Sequence, residues 1–355
     1  MWYRHGMNLK RADLKALSFT ELEGFVSSLG WPKYRAAQLC HWIYQKKVDN
    51  FSQMTNLSIA DRALLEERAL IRQLKTTKVQ QSVDGTTKYL LELQDGLQIE
   101  SVLIPDSRRL TLCISTQVGC TLDCVFCYTG TLGLKRNLSA HEIVDQVIIA
   151  EKTLAPPRRL TNIVLMGMGE PLANYREVVE ALHRITSPNG LAISPKRITL
   201  STAGLVPQIK RFMESGIEVN LAVSLNAPDQ ALRDRLMPKV NQAYPLKELI
   251  SACRSLPLAP RKRITFEYTL LAGVNDSPEH AMQLARLVRG LACKINLIPF
   301  NEFPESGFCR PEEAAVLRFQ KILKDAHLRA FIRKTKGRDI LAACGQLVAQ
   351  EVPTS

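Results

Sequence analysis

Residues 119–127 read GCTLDCVFC, and this stretch places Cys120, Cys124 and Cys127 at the spacing Cys-x3-Cys-x2-Cys. Three thiolates on one short loop can hold three irons of a four-iron cluster, and the fourth iron then has no protein ligand. Structural iron–sulfur sites normally use four cysteines, whereas an open position on a catalytic metal is where a small molecule binds and reacts. The alternative is a zinc site completed by a distant His or Cys, but zinc sites usually pair their cysteines as C-x2-C or C-x4-C. The spacing therefore favours a reactive iron–sulfur cluster.

Length, charge and apolar content narrow the class of protein. The chain has 355 residues, 46% of them hydrophobic, which is enough for one large domain and a small one, or for two domains of ordinary size. Lys and Arg outnumber Asp and Glu by 47 to 34, and the net charge of +13 favours a polyanionic partner such as nucleic acid. No apolar run approaches the ~20 residues that span a membrane, and the start, MWYRHGMNLKRADLK, lacks the apolar region of a signal peptide. We therefore expect a cytoplasmic monomer with no membrane partner.

The chain contains nine cysteines, too few for a disulfide scaffold at this length. In a reducing compartment they begin as thiols. Four of them lie among apolar or ordinary residues, and we predict that they are small buried hydrophobic side chains: Cys40, Cys253, Cys293 and Cys309. Besides the cysteine loop, only Cys113 and Cys344 then remain to be explained.

The periodicity of apolar residues divides the chain into three parts. Residues 1–75 are predicted to be a helical accessory domain, because FTELEGFVSSLG and YRAAQLCHWIYQKK repeat apolar residues three and four positions apart. Its scattered Lys and Arg side chains fit an RNA-binding face and an ordinary solvated face about equally well. Residues 76–104 switch to period two around a Gln-Asp-Gly turn, which predicts a linking β-hairpin. Residues 105–355 form the third part.

Short apolar runs alternate with helical patterns in the third part. The runs are LTLCIS, NIVLMG, RITLST, VNLAVS, ITFEYTLL and KINLIPF. Repeated strand–helix units imply a parallel sheet, and one intervening helix begins at a capping box formed by Ser139 and Glu142. Six strands rather than eight predict an α/β fold with a partial (β/α)6 barrel, in which reactive groups lie at the carboxyl ends of the strands.

The cysteine spacing, with the aromatic Phe126 before the third cysteine, resembles the signature of the radical S-adenosylmethionine (SAM) enzymes. In that superfamily the open iron binds the amino and carboxylate groups of SAM. Small polar or acidic residues follow the predicted strands, and their position on one rim of the barrel favours a SAM site. They are Gly169 and Glu170 in GMGEP, Ser201 in LSTAG, the Ser224-Leu225-Asn226 segment, and Asn301 in PFN.

Seven further stretches resemble the RlmN/Cfr family, the radical SAM enzymes that methylate adenosine in RNA. In chain order they are QVGCTLDCVFCYTG, RNLSAHEIVDQV, MGMGEPLANY, RITLSTAG, SLNAPDQALRDRLMP, IPFN and RKTKGRDILAACGQL. The N-terminal YRAAQLCHWIYQKKVDNFSQMTNLS is similar to the branch that methylates C2. The chain departs from the family pattern at Asn226, where a histidine is expected, and at Tyr128, where a small residue is expected.

The resemblance assigns roles to individual residues. Cys120, Cys124 and Cys127 would hold a [4Fe-4S] cluster, and Gly169, Glu170, Ser201, Ser224, Leu225, Asn226 and Asn301 would contact SAM. Cys344 is similar to the cysteine that becomes S-methylated. Cys113 is similar to the cysteine that resolves the intermediate through a transient disulfide with Cys344. Glu100 matches the proposed proton acceptor.

The implied reaction uses two SAM molecules per turnover, one as methyl donor and one as radical source. Adenine C2 is a poor nucleophile, so the family transfers the methyl group through a covalent carrier. The expected function is methylation of adenosine C2 in 23S rRNA and of the adenosine 3′ of the anticodon in tRNA. The expected partners are these RNAs, an electron donor for the cluster and a thiol reductant for the disulfide.

Two other functions stay open from the sequence alone. One is methylation of adenosine C8 in 23S rRNA, which uses the same cysteines, and the other is a non-catalytic iron–sulfur RNA-binding protein. The basic stretch RKTKGRD, with Arg333, Lys334, Lys336 and Arg338, could hold RNA phosphates or could be a solvated loop. The target adenine must leave its stack to reach a buried site.

Overall fold

The computed structural model describes residues 11–107 and 109–349. The first ten residues, which include most of the start predicted not to be a signal peptide, lie outside the described residues. Within the described ranges, no helix is both long enough and apolar enough to cross a membrane.

Strands and helices alternate along most of the described residues. The strands are β1 (Ala12–Asp13), β2 (Ala69–Leu70), β3 (Lys75–Gln81), β4 (Thr87–Glu92), β5 (Gln98–Asp106), β6 (Arg109–Cys113), β7 (Gln117–Gly119), β8 (Leu134–Asn137), β9 (Asn162–Leu165), β10 (Ile198–Thr202), β11 (Asn220–Ser224), β12 (Ile264–Leu270), β13 (Cys293–Pro299) and β14 (Ala330–Ile332). The helices are α1 (Phe19–Ser28), α2 (Tyr34–Cys40), α3 (Ile59–Arg68), α4 (Tyr128–Thr131), α5 (Ala140–Lys152), α6 (Tyr175–Thr186), α7 (Val206–Glu214), α8 (Gln230–Leu236), α9 (Pro238–Ala243), α10 (Leu246–Ser255), α11 (Pro278–Leu287) and α12 (Glu313–Asp325).

One sheet of ten strands forms the frame, in the order β14-β13-β12-β11-β10-β9-β6-β5-β4-β3. The six predicted strands pair in parallel; they are β6, β9, β10, β11, β12 and β13. The strands β3, β4 and β5 add an antiparallel extension next to β6. The strands β14 and β3 end the sheet on either side, so the barrel is open. The predicted partial barrel and the hairpin of β4 and β5 are therefore confirmed.

Two strands of the ten-stranded sheet, β3 and β14, were not predicted. The strand β3 is exposed over most of its length, and its sequence KTTKVQQ carries no apolar alternation. The strand β14 is only three residues long and pairs in parallel with β13 through Ala330. Neither strand has the apolar pattern from which a strand is predicted.

Helices cover the barrel strands because their apolar faces pack on the sheet. The helix α5 begins at the predicted capping box, in which the Ser139 backbone N–H donates to Glu142 Oε2 at 2.9 Å. The N-terminal helices dock on this side through an ion pair between Lys15 and Asp145, both almost fully buried. Burial raises the pKa of Asp145, and the ammonium of Lys15 opposes that rise. The buried pair joins the N-terminal helical part directly to a helix of the barrel.

The prediction that four cysteines are buried is confirmed for Cys40, Cys253 and Cys293 and wrong for Cys309. Cys309 is exposed in the loop between β13 and α12. An unpatterned loop between two elements carries no periodicity from which its burial can be predicted.

Candidate active site

The cysteine loop connects two short strands, β7 and β8, which pair antiparallel and keep the two ends of the loop together. Gly119 ends β7 at φ +77°, and a Cβ added there would lie 1.8 Å from the Gly133 carbonyl oxygen. Glycine is therefore required for the close approach of the two strands. Within the loop, the backbone N–H of Leu122 donates to Cys120 Sγ at 3.4 Å, and the N–H of Cys127 donates to the Cys124 carbonyl at 3.1 Å.

The three thiols of the loop line one cavity, called here the cluster cavity. Burial raises the pKa of Cys120 to about 12 and raises the pKa of Cys124 and Cys127 as well, so a metal must displace protons from these sulfurs on binding. No three His, Cys, Asp or Glu side chains of the described residues converge on a single metal ion. A four-iron cluster does not need such convergence, because each thiolate binds its own iron. The donor set and the shared cavity fit a [4Fe-4S] cluster with an open iron.

The predicted SAM residues of the GMGEP segment form the second wall of the cluster cavity. Gly169 has φ +99°, and a Cβ there would lie 2.5 Å from Gln117 Cβ. Glu170 is buried, and its two carboxylate oxygens accept hydrogen bonds from the backbone N–H groups of Leu172 at 3.0 Å and Ala203 at 2.7 Å. Burial raises the pKa of Glu170 to about 7. A carboxylate fixed in this way can receive a cationic amine at the cavity wall.

The ends of β10 and β11 form the third wall, with Ser201, Ser224 and Asn226. Asn226 has φ +60°, a left-handed conformation that asparagine tolerates better than most residues. Its Oδ1 accepts the backbone N–H of Thr269 at 2.8 Å, which ties the end of β11 to the end of β12. Asparagine at position 226 therefore suits the backbone at this turn. Leu225 is buried behind the wall, and its N–H donates to the Glu267 carbonyl at 2.9 Å.

A second, adjoining cavity contains the two remaining cysteines and is called here the thiol cavity. Cys113 is buried at the end of β6, whereas Cys344, in the C-terminal segment, is solvent-exposed as a residue although protein surrounds its sulfur. Cys344 also lines the cluster cavity, so it stands between the two. The cysteines carry free thiols. Burial raises the pKa of Cys113 to about 12 and that of Cys344 to about 11, and the guanidinium of Arg333 opposes both shifts.

The predicted SAM residue Asn301 lines the thiol cavity. Its Nδ2 donates to the Cys344 carbonyl at 3.1 Å, and its Oδ1 accepts from Arg310 Nη1 at 3.2 Å. In this conformation Asn301 positions the backbone of Cys344.

Glu100 is buried on β5 and binds the part of the C-terminal segment that follows Cys344 in the chain. Its Oε2 accepts the backbone N–H of Val348 at 2.9 Å, and its Oε1 pairs with Lys88 Nζ at 2.9 Å. Lys88 also donates to the Leu341 carbonyl at 3.3 Å. The pair thus holds the C-terminal segment on both sides of the cysteine.

Sequence reasoning missed Glu267, which lines the cluster cavity together with Cys344. Its Oε1 accepts from Asn296 Nδ2 at 2.9 Å, whereas its buried Oε2 has no hydrogen-bond partner among the described residues. Burial raises the pKa of Glu267, and Arg333 opposes that rise. An acidic residue inside the apolar run ITFEYTLL was the signal that could have identified it.

A parallel open barrel with three cysteines, a GMGEP wall and polar strand ends around one cavity defines a radical SAM protein. The radical SAM superfamily model matches residues 114–285, and the model of the ribosomal RNA large subunit methyltransferase N-terminal domain matches residues 12–71. A crystal structure of a radical SAM methyltransferase from Sphaerobacter thermophilus superposes with a TM-score of 0.91 at 44% identity, over 96% of this chain and 100% of that chain.

Curated relatives are similar over nearly their whole length. The dual-specificity RNA methyltransferase RlmN of Syntrophus aciditrophicus (strain SB) is 50% identical over 96% of this chain and 97% of that protein. The RlmN protein of Syntrophobacter fumaroxidans (strain DSM 10017 / MPOB) is 52% identical over 95% of this chain and 98% of that protein. The chain therefore belongs to the RlmN family of radical SAM methyltransferases.

Proposed function

We propose that the protein methylates C2 of an adenosine in 23S rRNA, and of the adenosine 3′ of the anticodon in tRNA, through an S-methylcysteine at Cys344. The observation that carries the proposal is the position of Cys344 between the cluster cavity and the thiol cavity. One sulfur can there face the SAM residues on one side and Cys113 on the other.

The cysteine loop would hold the [4Fe-4S] cluster, and the walls of the cluster cavity would hold SAM. When bound, the cluster and SAM supply the methyl group and the one-electron chemistry that activates a carbon–hydrogen bond. Adenine C2 is electron-poor, so a covalent carrier on the protein replaces direct displacement. The Cys344 sulfur is that carrier. Asn301 holds its backbone carbonyl and so fixes the segment that presents it.

Cys113 releases the product from the carrier. Its thiolate attacks the Cys344 sulfur, the bond between that sulfur and the transferred carbon breaks, and the carbon leaves with the electron pair and takes up a proton. A Cys113–Cys344 disulfide remains. A thiol reductant must then restore both thiols, and a separate electron donor must serve the cluster.

Glu100 is the proton acceptor for the adenine C2 hydrogen. Its carboxylate is occupied by Lys88 and by the backbone N–H of Val348. Each carboxylate oxygen keeps a further lone pair that can take a proton while these two contacts are made.

The RNA approaches through the thiol cavity, whose rim includes Arg333, Lys334 and Lys336. These side chains can hold phosphates without reading sequence, and the adenine enters after leaving its stack. The same basic rim favours a polyanionic partner such as RNA.

Nucleoside mass spectrometry tests the proposal. Cluster-reconstituted protein is incubated without oxygen with SAM, a reductant, and unmodified 23S rRNA or tRNA in separate reactions. We expect 2-methyladenosine in both, none from Cys344→Ala, and an unchanged yield from Cys309→Ala, which removes an exposed cysteine outside both cavities. Detection of 8-methyladenosine, or normal turnover by Cys344→Ala, would contradict the proposal.

A further inference from the structure

Arg233 on α8 is a fully buried cation whose guanidinium is hydrogen-bonded to neutral groups. Its Nε donates to the Leu225 carbonyl at 3.3 Å, its Nη1 to Asn241 Oδ1 at 2.7 Å, and its Nη2 to the Ala203 carbonyl at 2.6 Å. All three acceptors are neutral, and the partly exposed carboxylate of the adjacent Asp234 is bound by Asn241 Nδ2 rather than by the guanidinium. These hydrogen bonds satisfy the donors but bring no negative charge into direct contact with Arg233.

A buried charge is costly unless an opposite charge lies nearby. The helix that carries Arg233 packs directly on the cysteine loop, since the backbone N–H of Val125 donates to the Leu236 carbonyl at 3.1 Å. The next helix adds a second tie, because the Lys239 N–H donates to Asp123 Oδ1 at 3.3 Å. Besides the adjacent Asp234, the anionic groups that this packing brings towards Arg233 are those of the loop.

The hydrogen bonds of Arg233 place its guanidinium against the wall of the cluster cavity. Its Nη2 donates to the carbonyl of Ala203, a residue that lines this cavity together with the three cysteines. Its Nε donates to the carbonyl of Leu225, which lies between the wall residues Ser224 and Asn226.

We propose that Arg233 is the buried counter-cation of the iron–sulfur centre and that it raises the reduction potential of that centre. Three thiolates and the cluster together are anionic, and reduction adds one more negative charge. A fixed cation in a low-dielectric interior stabilises the reduced state more than the oxidised state, and net charge is one of the determinants of cluster potential. The inference rests on the proposed function only in so far as the cysteine loop holds the cluster.

The same guanidinium also fixes the wall of the SAM site. It holds the Ala203 carbonyl, and the N–H of that residue donates to Glu170 Oε2 at 2.7 Å. It holds the Leu225 carbonyl between Ser224 and Asn226. A purely structural role would rest on these bonds alone, so the test must separate charge from hydrogen bonding.

The experiment is a mediated redox titration of the reconstituted full-length protein, followed by electron paramagnetic resonance, without SAM or RNA. Arg233→Gln removes the charge, Arg233→Lys retains it, and Arg235→Gln removes a charge from the exposed face of the same helix. We expect Arg233→Gln to lower the equilibrium constant for reduction at least tenfold, or about 59 mV for a one-electron couple. Arg233→Lys should recover most of this shift, and Arg235→Gln should cause little because solvent screens it.

Iron and sulfide content is measured alongside the potential. Loss of the cluster in Arg233→Gln but not in Arg233→Lys would also support the proposal, because charge would then be needed to retain an anionic centre. An unchanged potential in Arg233→Gln, or equal failure of the glutamine and lysine variants, would overturn it and leave a structural role. Failure of the unsubstituted protein to take up a cluster would instead contradict the proposed function.

Discussion

The carboxylate of Glu100 accepts the backbone N–H of Val348 at 2.9 Å and so joins the antiparallel extension of the sheet to the segment that follows Cys344. The residue proposed to accept a proton is therefore also a structural contact of the segment that carries the methyl group. Both roles use the same carboxylate. A substitution that preserves the structural role can separate them.

Glu100→Gln should preserve the hydrogen bond to Val348 and abolish removal of the adenine C2 proton. The amide oxygen can still accept the Val348 N–H, but the amide cannot take the C2 proton at neutral pH. We expect methylation of Cys344 to continue and a covalent adduct between Cys344 and the RNA to accumulate. Intact-protein mass spectrometry and denaturing gels measure the two species, with Glu92→Gln on β4 as control. Normal release of methylated RNA would show that Glu100 is not the base.

Lys88→Met should destabilise the fold because it leaves the buried carboxylate of Glu100 without its cation. The Lys88–Glu100 pair is buried on both sides, and removing one partner of such a pair typically costs about 3–5 kcal/mol because the other charge stays buried. The double variant Lys88→Met, Glu100→Gln should recover most of this loss. Urea unfolding of the cluster-free protein measures both free energies. Equal destabilisation by the single and double variants would show that the ion pair is not the cause.

Much of this architecture could be predicted because its elements have local patterns. The six barrel strands have apolar cores, and the capping box at Ser139 and Glu142 marks the start of α5. The cysteine spacing indicates the cluster without any knowledge of the fold. The contacts of Glu100, Arg233 and Glu267 could not be predicted in the same way, because each depends on partners brought close by the parallel sheet and invisible in the neighbouring sequence.

Oxidation should link Cys113 and Cys344 preferentially among the cysteines. Both line the thiol cavity, whereas Cys253 and Cys293 are buried away from it. Turnover without a thiol reductant should leave one disulfide per chain, which differential alkylation and peptide mass spectrometry would locate at Cys113 and Cys344. The Cys113→Ala variant should show no disulfide and should stall within its first turnover, with the RNA still attached to Cys344. A different disulfide, or none, would contradict the resolving role of Cys113.

Protonation of Asp84 should loosen the loop that precedes Cys344. Its Oδ2 accepts the backbone N–H of Gly337 at 3.0 Å and its Oδ1 that of Thr86 at 2.9 Å. Partial burial would raise the pKa of Asp84, but these hydrogen bonds outweigh it and lower the pKa to about 2. Because the folded pKa lies below the unfolded value of ~3.9, ionised Asp84 stabilises the fold above about pH 4, and this contribution is lost as the pH falls towards 2.

Asp84→Asn reproduces the loss of charge at neutral pH and gives a measurable local effect. Hydrogen–deuterium exchange of the Gly337 amide should accelerate, and exchange within α11 should not change. Glu92→Gln, on the neighbouring strand, serves as the charge control. Unaltered exchange at Gly337 would show that the Asp84 contact does not hold this loop.

Glu267→Gln should weaken binding of SAM and of its product analogue S-adenosylhomocysteine. Glu267 is opposite Ser224 in the register of β11 and β12, and both side chains line the cluster cavity. A buried carboxylate oxygen without a partner is an acceptor held ready for a donor on a ligand. Loss of a hydrogen bond to a charged acceptor costs about 1.5–3 kcal/mol, so Kd should rise at least tenfold. Equilibrium dialysis on cluster-loaded protein measures Kd, with Glu248→Gln on the exposed face of α10 as control. If Kd is unchanged in Glu267→Gln, the free oxygen of Glu267 faces no donor of the bound ligand, and the carboxylate acts only on its neighbours Asn296 and Arg333.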